Sequence, residues 1–165
     1  MKSVFILLIA FAICGISVKS NMKMKKRVVN LEKCILMFEN IETQIKYSSE
    51  NIYKILNTTQ KNIDLEFLKY FLCIDMNKDI TQRWVESIKK KSYNDCFKNE
   101  DVQVLCSFGK MLGTTDADGQ IKNCKAHKVM LSKCLENARE NYKKKGNVVT
   151  TLGLLSAICF IVLVY

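Results

Sequence analysis

The sequence predicts an all-α protein, a cytoplasmic bundle of about six helices flanked by a transmembrane helix at each end. Three observations carry that expectation. The 165 residues include no proline and six glycines, which removes most turn and strand-edge punctuation, while the helix formers Lys, Glu, Leu and Met are plentiful. Through the middle of the chain apolar residues recur at steps of three and four, the period of one helix face. Both ends are apolar: Val4 to Val18 is a run of 15 residues and Val148 to Tyr165 a run of 18, each without a charge.

As a helix the terminal run rises about 27 Å, close to the ~30 Å hydrocarbon core of a bilayer. The first run is shorter than the usual ~17 to 25 residues and needs Lys2 and Lys19 to snorkel. It also has the shape of a secretory signal, with Val18-Lys19-Ser20 a poor small-x-small cleavage site. Charge placement favours a retained span. Lys2 alone precedes the run, whereas Lys19, Lys23, Lys25, Lys26 and Arg27 follow it, and basic residues beside a span stay on the cytoplasmic side. Lys143, Lys144 and Lys145 precede the last run and no charge follows it, which assigns the same side. The expected organisation is a transmembrane segment or signal peptide over residues 1–20, a helical cytoplasmic domain over 21–146 and a transmembrane helix over 147–165.

The formal charge of +10 resembles a nucleic-acid signal until it is located. Between Val28 and Tyr142 there are 17 Lys/Arg against 16 Asp/Glu. The surplus lies beside the apolar ends, where Lys23, Lys25, Lys26, Arg27, Lys143, Lys144 and Lys145 are expected to meet anionic headgroups at the membrane surface. No nucleic-acid partner is expected.

Within the domain, Leu31, Cys34, Ile35, Phe38, Ile41 and Ile45 give one apolar face to a helix from about Lys26 to Tyr47 that continues from the first span. Ser48 and Ser49 offer an N-cap to a short helix with Ile52, Tyr53 and Leu56, ended by the polar run Asn57 to Asn62. A third, Ile63 to about Asp75, packs Phe67, Leu68, Phe71 and Leu72. Asp79 caps a fourth, in which Trp84, Val85 and Ile88 point inward and Lys89, Lys90 and Lys91 sit at the C-terminal end. Asn99 caps a fifth, with Val102, Leu105, Cys106 and Met111 or Leu112 inward, and Gly113 stops it in a left-handed conformation. Asp116 caps the sixth, Ala117 to about Lys145, which carries Ile121, Cys124, Leu131, Leu135, Ala138 and Tyr142 and runs almost unbroken into the last span. Gly109 inside the fifth helix signals close approach of another helix.

No catalytic constellation is visible: no glycine-rich phosphate loop, no distinctive acid pair, and a single histidine without an obvious nucleophile. No enzyme activity, cofactor, metal or small-molecule substrate is expected. Cys124-x-x-His127 with Cys134 lacks the Cys-x-x-Cys pair of a zinc site, so His127 is expected to be solvated and the cysteines to pack. Six cysteines outside the spans (Cys34, Cys73, Cys96, Cys106, Cys124, Cys134) and an Asn57-Thr58-Thr59 glycosylation triplet support one alternative, a disulfide-linked surface protein with a cleaved signal and a C-terminal anchor. Cysteine inside the apolar runs too, at Cys14 and Cys159, favours a reduced chain.

The order of features resembles the stage III sporulation protein AB family over essentially the whole chain. The likeness rests on Leu31-Glu32, Glu42-Thr43-Gln44-Ile45 and Trp84-Val85-Glu86-Ser87-Ile88, and most specifically on Phe108-Gly109-x-x-Leu112-Gly113-x-x-Asp116-x-x-x-Gln120, with a terminal span near Leu152-Gly153. It implies a helical domain similar to the F-type platform proteins of type II secretion and type IV pilus machines. It also implies a place in the channel complex between mother cell and forespore, in the mother-cell membrane, with a secretion-type ATPase, the stage III sporulation protein AA, as partner. By that likeness Phe108, Gly109, Leu112, Gly113, Asp116 and Gln120 match the family's turn, which is structural or touches a partner; from the residues themselves, Gly113 closes one helix, Asp116 opens the next and Gln120 is placed to tie the turn by a hydrogen bond.

Overall fold

The computed structural model describes the backbone of residues 2–48, 50–75 and 77–164, and their side chains apart from 2–11, 13, 14, 147, 149, 150, 157, 159–161, 163 and 164. Six helices follow in order: α1 (Lys2–Tyr47), α2 (Ile52–Asn62), α3 (Glu66–Cys73), α4 (Ile80–Lys91), α5 (Asn99–Lys110) and α6 (Ala117–Val164). No strand occurs among the described residues. The expected flanking helices are therefore the ends of α1 and α6, because nothing between Lys19 and Arg27 breaks the helix and a lone glycine, Gly146, costs only ~1 kcal/mol. Among the described residues no helix is long and apolar enough to cross a membrane. The two expected spans fall mainly on side chains outside the described set.

The chain divides into two compact units, one of Met1–Val28 with Asn137–Tyr165 and one of Val29–Glu136. In the first, Gly146 is buried. A Cβ there would meet Asn21 Oδ1 at 2.7 Å and the Tyr142 ring at 3.2 Å, so a missing side chain lets two helices approach. In the second, α3 packs on α2 and on α4, and α4 on α5. Its centre is Trp84, fully buried, with the rings of Phe67, Phe71 and Phe108 at 5.5, 5.6 and 5.4 Å. Trp84 Nε1 donates to the Leu105 carbonyl at 2.8 Å, so the indole hydrogen is not stranded in the core. Leu31, Cys34, Phe38 and Ile41 of α1 and Cys124 and Leu131 of α6 are buried as their spacing requires.

The helix ends depart from expectation where a side chain has a better partner. Ser48 Oγ donates back to Gln44 O at 2.7 Å and closes α1, leaving Asn51 to cap α2 by accepting from Tyr53 N at 3.0 Å. α2 stays helical to the last residue of the polar run, Asn62, and ends there, with Thr59 inside the run fully buried. Asp79 caps α4 as expected, accepting from Thr81 and Gln82. At α5 the cap moves one residue back, with the Asp101 carboxylate accepting from Lys98 N at 2.8 Å.

The sequence-based bounds of α3 were too wide, and its stabilisation comes from elsewhere in the chain. At eight residues it is too short to stand alone. Asp95, 2 % exposed, accepts from Glu66 N at 3.2 Å and Phe67 N at 3.0 Å, and Asn30 Nδ2 donates to the Asp95 carbonyl at 3.0 Å. At the other end buried Arg83 donates from Nη2 to the Phe71 carbonyl at 3.0 Å, its guanidinium 4.8 Å from the Phe71 ring centre and 5.3 Å from that of Tyr53. An anion at the N-terminus and a cation at the C-terminus both complement the helix dipole.

Candidate functional site

The segment from Phe108 to Gln120 forms a corner between α5 and α6 that is exposed at its tip and braced from beneath. Phe108 and Leu112 are fully buried, Gly109 is buried, and Gly113 to Asp118 are exposed. Gly113 has φ +75°, the left-handed conformation that lets the chain turn after α5 ends at Lys110. Asp116 accepts from Gly119 N at 2.9 Å, the expected cap of α6.

Gln120, 6 % exposed, ties the corner. Its Nε2 donates to the Met111 carbonyl and to Thr115 Oγ1, both at 2.7 Å. Asn123, one turn on, donates to the Phe108 carbonyl at 3.2 Å. Of the six residues singled out, four point inward and two, Gly113 and Asp116, stand on the surface. The participation of Thr115 and Asn123 was not foreseen, since a lone hydroxyl and a mid-helix amide carry no local signal.

The basic clusters divide. Lys23, Lys25, Lys26, Lys143, Lys144 and Lys145 are exposed, whereas Arg27 is 4 % exposed and so is withdrawn from the headgroup contact expected of it. The expectation of a solvated His127 is also corrected. The ring is 7 % exposed, packs edge-on to Phe108 at 5.6 Å, and holds Nδ1 2.9 Å from the Asn123 carbonyl and Nε2 2.9 Å from Ser107 Oγ. A carbonyl only accepts, so Nδ1 carries a proton. Ser107 Oγ also lies 2.8 Å from the Val104 carbonyl, which makes the pair an internal tie between α5 and α6.

The six cysteines with described side chains form no disulfide, with Cys34, Cys124 and Cys134 buried and Cys73 exposed. Burial pushes the Cys34 thiol well up and Cys124 up to about 12, with Glu42 adding to the latter. Among the described residues no group of His, Cys, Asp or Glu is placed to hold a metal ion.

The family model for stage III sporulation protein AB matches residues 2–165. A solved structure of a stage III sporulation protein AB superposes with a TM-score of 0.61 at 20 % identity, covering 71 % of this chain and 96 % of that one, and so shares its fold. No curated protein sequence matches at a significant level.

Proposed function

The chain belongs to the stage III sporulation protein AB family, and from that premise we propose that it is a non-enzymatic membrane platform of the channel complex joining mother cell to forespore, docking a secretion-type ATPase in the cytoplasm. The observation that carries the docking role is the corner. Gly113 to Asp118 are exposed, while Gln120 and Asn123 on α6 fasten the start of that helix to the Met111 and Phe108 carbonyls at the end of α5. An exposed segment fastened to a packed core passes a partner's push to the whole helix pair instead of yielding. Membrane attachment through residues 1–20 and 147–165 is supported by their apolar runs and the lysines beside them. The surface-protein alternative calls for disulfides, and the cysteines with described side chains form none.

Asp116 provides the test, because Asn caps a helix as well as Asp does but carries no charge. Asp116→Asn is expected to keep the thermal midpoint and to weaken co-purification with the stage III sporulation protein AA ATPase. Asp116→Ala is expected to lose both binding and ~0.5–2 kcal/mol of stability. Unimpaired co-purification with both variants would remove Asp116 from the docking surface. A reporter fused at residue 115 that is active only outside the membrane would overturn the cytoplasmic placement.

A further inference from the structure

One face of α4, from Thr81 to Lys90, and Lys110 at the end of α5 line an open groove of about 690 Å³. All of it lies within the Val29–Glu136 unit. It begins beside the corner, since Ile80, which precedes Thr81, holds its Cγ2 3.8 Å from where a Cβ on Gly113 would stand. Val85 is half-buried in it, and most of the lining surface is apolar, the stems of the lysines contributing with it.

Three ammonium groups border this apolar surface, on the exposed side chains of Lys89, Lys90 and Lys110, against one carboxylate, Glu86. Glu86 is already engaged, accepting from Lys78 Nζ at 2.9 Å. Lys90 is engaged too, its Nζ 2.7 Å from the Tyr70 hydroxyl and 4.7 Å from the centre of that ring, over which Lys91 also lies at 5.2 Å. Lys90 and Lys91 thus complement the dipole at the end of α4 while packed on a tyrosine.

Lys89 and Lys110 are different. Among the described residues neither has a carboxylate partner. They come from separate helices yet converge: burial pushes the Cys106 thiol up, and both lysines act on it in the opposite direction, so both charges stand near one side chain. Like charges aimed into one groove repel unless an anion lies between them.

The layout selects the occupant. An apolar strip bordered by two unpaired cations is complementary to an apolar stripe bordered by carboxylates, the pattern of an acidic amphipathic helix. A small acidic molecule fits poorly, because small-molecule sites bury ~70–90 % of their ligand and a groove built largely on one helix face leaves its outer side in water. A layer of anionic headgroups would use the lysines and leave the apolar strip uncovered.

We propose that this groove docks an acidic amphipathic helix of a partner protein, its apolar stripe on Val85 and its carboxylates on Lys89 and Lys110. This deepens the docking role proposed above and rests on it for the partner's identity alone.

The test titrates the full chain in mild detergent with an acetylated peptide amide of two Glu-Glu-Leu-Ala-Glu-Leu-Ala repeats, following the backbone amide resonances of Val85, Lys89 and Lys110. Saturable shifts are expected, with at least about tenfold weaker binding when Gln replaces every Glu or Ser replaces every Leu. The double variant Lys89→Glu/Lys110→Glu is expected to lose binding with an unchanged melting curve. Lys122→Glu/Lys133→Glu, the same change of charge at exposed positions of α6, is expected to bind as the parent does. The absence of saturable shifts, equal binding of the Glu and Gln peptides, or equal binding by the two double variants would overturn the proposal. So would shifts at these amides with phosphatidylglycerol bicelles but not with the peptide, which would assign the lysines to headgroups. Unimpaired ATPase co-purification by a Lys89→Glu/Lys110→Glu chain that has lost the peptide would refute the ATPase as the occupant and leave the corner standing. A parent chain that binds the peptide but not the ATPase would defeat the docking role above and leave the groove standing.

Discussion

A methyl group on Gly109 would sit 2.1 Å from Cδ1 and 2.7 Å from Cγ of Trp84. The indole has nowhere to move, since its Nε1 is bonded to Leu105 O and the rings of Phe67, Phe71 and Phe108 enclose it. Gly109 is therefore the gap that lets α5 pass over the tryptophan of α4. Overpacking a core costs about 1–3 kcal/mol, more than the ~1 kcal/mol that alanine gains over glycine in a helix. Gly109→Ala is expected to lower stability by about 1–2 kcal/mol in chemical denaturation. Trp84→Phe should be destabilising alone, yet in combination with Gly109→Ala the two losses should sum to less than their separate values, because the smaller ring clears the methyl. Simple additivity would mean that the two side chains do not compete for the space.

At the scale of elements, α3 shows what a short helix needs from the rest of the chain. Removing the acceptor at its N-terminus by Asp95→Asn turns an amide toward two N–H donors, at a cost of about 1–3 kcal/mol. Hydrogen exchange is expected to speed up at the amides of Glu66 and Phe67 while those of α5 keep their protection. Faster exchange spread evenly over the Val29–Glu136 unit would show that Asp95 supports more than this helix. That dependence also explains which parts of the fold were legible in the sequence. The long faces of α1 and α6, the Asp79 and Asp116 caps, the left-handed Gly113 and the tie through Gln120 all follow from local spacing and local chemistry. The bounds of α3 did not, because Asp95 and Arg83 lie 28 and 12 residues from the atoms they hold. The burial of His127 was hidden for the same reason, its partner Ser107 lying on another helix. So was the cleft between the end of α1, the start of α2 and the α5–α6 connection, whose walls come from three separate stretches of chain.

Across the whole molecule, the excess positive charge belongs to the apolar ends, and the 17 Lys/Arg and 16 Asp/Glu between them nearly cancel. A near-neutral domain rich in free thiols depends on those thiols remaining protonated where they are buried. An unfolded cysteine titrates near pH 8.5. In the folded chain burial holds Cys124 up to about 12 and moves Cys34 in the same direction. Below about pH 8.5 both states keep the proton and stability is unaffected by these groups. As pH rises from about 9 towards 12 the unfolded chain releases protons that the folded one retains, so the unfolded state gains and stability falls, by at most ~1.4 kcal/mol per pH unit for each such thiol. The melting midpoint is therefore expected to drop steeply above pH 9. Cys124→Ala removes one contributor and should flatten the drop relative to the parent chain measured under the same conditions, which cancels the titration of the lysines. An alkaline slope unchanged by Cys124→Ala would mean that the buried thiols are not what ties the stability of this domain to pH.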